Sequence, residues 1–389
     1  MNVLVIGGAG RVGRRVVAEL VEHSGHAVTI ADRVPPEGSP VAFAEVDLAD
    51  DAALARVLAG ADVVVNTTGP FDLWGAKVLD VAIEQGVHYV DVCDDPAATE
   101  ELMKRDAAAR RAGVRAIVGL GVSPGLTNYL GMIAARGLDE VDTVATFWGD
   151  SREGMDPDAA AEHAHALAAA FTAGRAAYTH LIMQTAADVP VWRDGAPVRE
   201  RAWRTAYRVR ASNGETGLYR MIGHPEPVTM PRAVTLRDCV NIGTVNAGTD
   251  RLMLPVLDRV AAGELTPEAA IAEIAAQLTA HPQALATPSR GPRLRRLIGA
   301  VATGTAGGRA EGIIVFPGGP VDGSMSLETA RPAVVGVLRI DEAPAGVHAP
   351  EGAFEASAFL EHYAAVYWDG GEPYIKDVAG PGALTVEES

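Results

Sequence analysis

The stretch Val3-Leu4-Val5-Ile6-Gly7-Gly8-Ala9-Gly10-Arg11-Val12-Gly13 decides the fold of this chain. A short β-branched run ends in glycines spaced G-x-G-x-x-G at Gly8, Gly10 and Gly13, and a helical pattern over residues 12–23 follows. The first glycine permits a tight turn, the second admits a pyrophosphate to the backbone, and the third lets helix and strand pack closely. The helix opened there offers free N–H groups to an anion, which brings Arg11 and Val12 into the same contact. A second strand ends in Asp32, nineteen residues beyond Gly13, where a carboxylate accepts from ribose hydroxyls. The cofactor is therefore NAD or NADP. Asp32 favours NAD slightly, and Arg33 beside it is a partner for the 2′-phosphate of NADP.

Outward from that turn, short apolar strands at residues 27–30, 41–43, 63–65, 88–90 and 116–118 alternate with helical patterns at 52–59, 75–85 and 99–112. Parallel strands need crossover helices, so the alternation predicts an α/β domain, a doubly wound parallel Rossmann sheet over residues 1–122. Asp47 and Leu48 follow the third strand at the place of an adenine. Thr67, Thr68 and Gly69 follow the fourth at the place of the nicotinamide ribose, and an ordinary Gly-Pro turn explains them as well. Past Ser123 a helix at 127–136, a strand at 141–148 and an Ala-rich helix at 157–178 give way to strands at 202–210, 217–222, 233–241 and 310–316. A helix at 265–278 opens on Thr266-Pro267. That rhythm predicts a second α+β domain with a mixed sheet over 123–326. Residues 287–296 read as a loop, 327–370 as helices returning to the Rossmann domain, and 371–389 as a loose tail.

Fifty acidic against 33 basic residues leave a net charge of −17, which disfavours nucleic acid and anionic membrane as partners. Two cysteines make no disulfide framework, no spacing reads as a metal site, and no window resembles a signal peptide or a membrane span. These features place the chain among soluble cytoplasmic proteins.

Four stretches, taken in order, resemble the saccharopine dehydrogenase-like family. They are the glycine turn, Gly86-Val87-His88-Tyr89-Val90-Asp91-Val92, Ala112-Gly113-Val114 running into Gly119-Leu120-Gly121-Val122-Ser123-Pro124-Gly125-Leu126-Thr127-Asn128, and Gly223-His224-Pro225-Glu226-Pro227. A weaker fifth stretch runs from Met325 to Ala333 and through Gly346-Val347-His348-Ala349-Pro350-Glu351. The resemblance implies an NAD(P)-dependent oxidoreductase that acts at a carbon–nitrogen bond of an amino acid-derived amine or imine, and a homodimer. Saccharopine reductases carry an aspartate where this chain has Ser123, so the resemblance implies a relative nearer to lysine 6-dehydrogenase than to an enzyme of saccharopine itself.

Hydride exchange needs the reacting carbon against the nicotinamide and a group for the amine proton. His224 is the preferred acid–base candidate, with Glu226 to orient it, and a structural histidine is the competing reading. Asp91 and Ser123 are further catalytic candidates, while Asp95 before Pro96 reads as a helix cap. Pro124, Gly125, Thr127 and Asn128 form a loop and helix start suited to a substrate carboxylate or carbonyl, and Ser123 and Thr127 also suit capping. An enoyl or keto reductase, or a protein that binds NAD(P) without catalysis, are the alternatives.

Overall fold

The buried run Val63-Val64-Val65 shows why the first sheet forms: each valine is fully covered, as in a parallel sheet with both faces occupied. The computed structural model describes residues 1–389 except 37, 39, 40, 151–153, 174, 287–291, 322, 323, 388 and 389. In chain order the first elements are β1 (Asn2–Ile6), α1 (Gly13–His23), β2 (Ala27–Asp32), β3 (Ala42–Glu45), α2 (Asp51–Leu58) and β4 (Val63–Asn66). They continue as α3 (Phe71–Gln85), β5 (His88–Asp91), α4 (Pro96–Met103), α5 (Asp106–Ala112), β6 (Arg115–Ile117) and α6 (Leu126–Ala135). The sheet runs β6-β5-β4-β1-β2-β3, and strand Gly346–His348 pairs in parallel beyond β6 as a seventh member. This is the doubly wound order, with its switch point beside β1.

Alternate strand residues serve opposite faces. Leu4, Val64, Tyr89 and Ala116 pack with Leu54 of α2, Leu79 of α3, Leu102 of α4 and Ala109 of α5. Helix Met325–Leu338 packs on α1, β4 and β5, so the C-terminal helices do return to the Rossmann sheet. A Cβ on Gly336 of that helix would lie 2.3 Å from Leu120 Cδ2. The helical pattern over 99–112 divides into α4 and α5: Asp95 caps the first by accepting from Ala98 N at 2.7 Å, and the chain restarts at Arg105.

The chain divides into two compact units: Met1–Ile133 with Val228–Val234 and Phe316–Ile375, and Ala134–Pro227 with Thr235–Val315 and Lys376–Ser389. The second holds a mixed sheet with the order Arg309–Pro317, Gly299–Ala306, Glu140–Asp150, Asp238–Val245, Thr216–Met221, Ala206–Arg210, Leu384–Glu387; strand Tyr374–Val378 adds to the Arg309–Pro317 edge. Hairpin Asp188–Arg193/Ala196–Arg201 joins through Cys239 and Trp192. Helices Pro157–Ala173, Arg175–Ala186, Ala247–Ala261 and Pro267–Ala280 supply one apolar cluster with Trp203 and Ile222.

Several expectations are corrected here. The end of the chain is not loose through 371–387, because Tyr374–Val378 and Leu384–Glu387 are sheet strands; Leu384 to Glu387 pair with Val209 to Ala206. Strand 202–210 begins only at Ala206, after Trp203 at φ +61°, and strand 233–241 begins at Asp238. The expected loop at 287–296 falls partly outside the described residues. Its described end lies along strand Thr216–Met221, with Leu294 N donating to Thr216 O at 3.0 Å.

Candidate functional site: a glycine turn and a buried polar cluster

Between β1 and α1 the chain turns so tightly that a side chain is excluded at each of its four glycines. Gly7 has φ +77°, and its Cβ would meet Thr68 Oγ1 at 2.6 Å. On Gly8 a Cβ would lie 2.9 Å from Ile30, on Gly10 3.0 Å from Gly7 O, and on Gly13 2.1 Å from Gly7 O. Gly10 N donates back to Gly7 O at 2.9 Å. Helix α1 starts at Gly13 with no side-chain cap from Val12. Among the described residues, the N–H groups of Arg11, Val12 and Gly13 have no protein acceptor. Three open donors at a helix N-terminus fit a pyrophosphate, and that is the test a dinucleotide must pass here.

Asp32 ends β2 beside this turn. Its Oδ2 accepts from Ala9 N at 3.1 Å and its Oδ1 from Arg33 N at 2.7 Å, so the carboxylate is fixed at the mouth of the glycine turn, and Arg33 is exposed. Asp47 closes its own turn, accepting from Ala49 N at 2.9 Å, and Leu48 is buried.

The C-terminal ends of β4, β5 and β6 lie side by side on the same edge. Thr67 Oγ1 donates to Ile6 O at 2.9 Å, which ties β4 to β1. Thr68 Oγ1 is shielded from solvent and has no hydrogen-bond partner among the described residues, while exposed Gly69 leads into a cis bond to Pro70. Behind them a buried chain joins the candidate Asp91 to Asn66 and Tyr89, two residues with no role assigned from sequence. Asn66 Nδ2 donates to Tyr89 Oη at 3.3 Å, and Tyr89 Oη donates to Asp91 Oδ2 at 2.8 Å. Asp91 Oδ1 accepts from Cys93 N at 3.0 Å and Gly119 N at 2.7 Å. Burial raises the Asp91 carboxyl to about 6, against the pull of these N–H and O–H donors. Its place in the fold is that of a brace: it fixes the start of the loop after β6.

That loop is the Gly-x-Gly-x-x-Pro-Gly stretch, and its geometry explains the spacing. Gly119 has φ +72° with Pro124 stacked over it, 2.9 Å from where a Cβ would be. Gly121 N donates to Pro124 O at 2.8 Å, and Leu126 N to Gly121 O at 2.9 Å. At Gly125, φ +123°, a Cβ would sit 1.9 Å from Gly121 O. Ser123, Pro124, Gly125 and Thr127 are all buried, with the Ser123–Pro124 bond cis. Asn128 Oδ1 accepts from Gly125 N at 2.7 Å, and its Nδ2 donates to Glu351 Oε1 at 2.6 Å. Thr229 Oγ1 donates to the same Glu351 oxygen at 3.0 Å. Burial raises the Glu351 carboxyl, and Asn128 and Thr229 work against the rise. Glu351 was quoted in the sequence without a role; nothing local to it shows that it clasps this loop.

In the second unit His224 and Glu226 are buried together, with Nδ1 3.8 Å from Glu226 Oε2. The imidazole stacks on Trp148 at 5.3 Å between centroids. Asn241 Nδ2 donates to Glu226 Oε1 at 2.9 Å and to Thr146 Oγ1 at 2.8 Å, and Trp148 Nε1 donates to Asn241 Oδ1 at 3.1 Å. The structure thus brings the two sequence candidates together and adds Thr146, Trp148 and Asn241. The signal for Asn241 was a lone amide in the apolar run Cys239-Val240-Asn241-Ile242, which a buried strand carries only with partners.

Residues 3–117 match the family model "Saccharopine dehydrogenase NADP binding domain". Saccharopine dehydrogenase (L-Glu forming) from Saccharomyces cerevisiae superposes over 100% of both chains, with a TM-score of 0.63 at 14% identity, a likeness of fold. A "Lipid droplet localized protein" of Caenorhabditis elegans is 30% identical over 139 residues, 31% of this chain; the match spans 33% of that relative's length. The glycine turn and the strand order agree with that match, which covers residues 3–117, under a third of the chain.

Proposed function

We propose that this chain is an NAD(P)-dependent oxidoreductase that interconverts an amine and an imine at a carbon–nitrogen bond of an amino acid-derived substrate, and that it works as a homodimer in the cytoplasm. The observation that carries the reading is the open row of N–H groups at Arg11, Val12 and Gly13, beside the fixed Asp32 carboxylate and the Thr68 hydroxyl. When bound, the nicotinamide supplies or accepts the hydride. The glycine turn holds the pyrophosphate, Asp32 the adenosine ribose, and Thr67 and Thr68 the nicotinamide side. Asp91 and Glu351 act as positioning residues that keep the loop of Ser123, Pro124 and Gly125 in one shape. His224 takes the amine proton, with Glu226 3.8 Å from its Nδ1 to orient it.

The experiment is a fluorescence titration with NADH and NADPH, followed by steady-state assays with lysine-, ornithine- and diamine-type amines. The expected result is binding of a reduced dinucleotide, NADH somewhat tighter, and reduction of NAD(P) by at least one amine. His224→Asn is expected to lower kcat 100-fold or more while the dinucleotide Kd stays within twofold. Dinucleotide binding with reduction of an enoyl or keto substrate alone moves the assignment to double-bond reduction. Binding with no turnover on either class leaves a dinucleotide-binding protein.

A further inference from the structure

The second unit contains a cleft of about 670 Å³, within the range of small-molecule sites. Its floor is the sheet face of strands Ala206–Arg210, Thr216–Met221 and Asp238–Val245, and its rim comes from helix Ala247–Ala261 and from residues 283–286 and 293–297. Four arginines line it, Arg208, Arg220, Arg251 and Arg293, against one carboxylate, Asp250. In a chain of net charge −17 that local balance runs against the composition.

The guanidiniums are also held in a particular way. Register pairs Arg208 with Leu218, Ala206 with Arg220 and Arg220 with Gly243, so Arg208, Leu218, Arg220 and Gly243 share one face. Arg208 and Arg220 are diagonal neighbours there, about 7–8 Å apart at the backbone. Arg208 donates through Nε to Glu387 Oε1 at 2.6 Å. Arg220 donates through Nε to both oxygens of Asp250 at 2.9 Å, and its Nη1 reaches Trp203 O at 3.4 Å. Trp203 Nε1 donates to Asp250 Oδ1 at 2.7 Å, which fixes the carboxylate in turn. Among the described residues, Nη2 of Arg220 and both Nη groups of Arg208 have no partner. Arg251 uses only one Nη, on Ala284 O at 3.3 Å. Each strand arginine is therefore anchored through Nε, which leaves both Nη groups of Arg208 and Nη2 of Arg220 as donors for a carboxylate or phosphate. Gly243 contributes no side chain to the floor, and Trp203, Leu218 and Leu294 give the cleft apolar walls.

We propose that this cleft binds a small organic anion, its carboxylate or phosphate group held by Arg208, Arg220 and Arg251 and its carbon skeleton by Trp203, Leu218 and Leu294. The assignment stands apart from the redox reading, since it concerns binding within the second unit alone.

The test is isothermal titration of the full chain with glutarate, phenyl phosphate and neutral glutaramide, at 50 and 300 mM salt. At least one of the two anions is expected to bind, more weakly at the higher salt, and glutaramide at least tenfold more weakly than glutarate. Which anion binds tells carboxylate from phosphate. Arg208→Gln and Arg251→Gln avoid exposing the buried side of Asp250, and each is expected to weaken the anion tenfold or more. NADPH titration of the same variants, expected to match the parent, reports that they are folded. Binding of neither anion, equal binding of glutaramide, or anion binding unchanged in both variants would overturn the proposal.

Discussion

Asp91 Oδ1 accepts the N–H of Gly119 at 2.7 Å, a bond that joins the end of β5 to the first residues of the loop after β6. Burial holds this carboxyl at about 6, above its ordinary 3.8. A raised folded-state value means that the native protein binds the proton more tightly than the unfolded chain does. The stabilisation is then complete below about 3.8 and is lost as pH rises through about 6. Across that window it amounts to about 3 kcal/mol at most. Asp91→Asn removes the titration and keeps an oxygen for Gly119. Urea unfolding between pH 4.5 and 7.5 should show a flatter stability profile for the variant; parallel profiles would mean that Asp91 does not titrate there.

Gly13 has no room for a methyl group, with Gly7 O 2.1 Å from the would-be Cβ. Gly13→Ala should push α1 away from the turn, cost about 1–3 kcal/mol and weaken dinucleotide binding tenfold or more. Thermal unfolding with and without NADPH reads both effects. A variant with parental affinity would remove the turn from the binding site.

Much of this was legible from residue order, and the reasons differ by region. The valine runs of β1 and β4 and the glycine turn report local rules, so the Rossmann half could be read directly. Helix Ala247–Ala261 escaped because Gly248 and Pro255 argue against a helix, yet the helix carries Pro255 within it and Asn246 caps its start through Gly248 N at 2.7 Å. Strand Gly299–Ala306, rich in Gly and Ala, has little strand propensity of its own; its place between Glu140–Asp150 and Arg309–Pro317 is set by pairing. Of the candidate site, His224 and Glu226 were visible as a motif. The Asn66–Tyr89 bond and the Glu351 clasp on Asn128 join residues 23 and 223 positions apart, and no sequence window holds either.

Asp32 offers a third measurement. Under the proposed function its carboxylate accepts from the ribose and repels a 2′-phosphate, while Arg33 stands exposed next to it. Asp32→Asn should shift the NADH-to-NADPH preference toward NADPH by about tenfold, the size of one lost charge repulsion. Paired titrations decide it, and an unchanged ratio would give the choice of cofactor to other residues.

Glu351 can be tested by two substitutions. Glu351→Ala strands Asn128 Nδ2, which now donates at 2.6 Å, and should cost about 1–3 kcal/mol. Glu351→Gln keeps the acceptor, and because Oε2 has no partner among the described residues it should stay within about 1 kcal/mol of the parent. Denaturant midpoints distinguish the two, and equal losses would show that charge, not the hydrogen bond, matters there.

The seventh strand of the first sheet, Gly346–His348, has consequences for synthesis. It lies beside β6 but is more than 220 residues later in the chain, and Leu384–Glu387 completes the edge of the other sheet later still. A ribosome exposing residues 1–133 presents β6 as a raw edge, its outward N–H and C=O groups unmatched, until residue 348 has emerged. Closure of the first sheet therefore waits on residues 346–348, and a stop codon ahead of them leaves a sheet margin open to pairing with other chains.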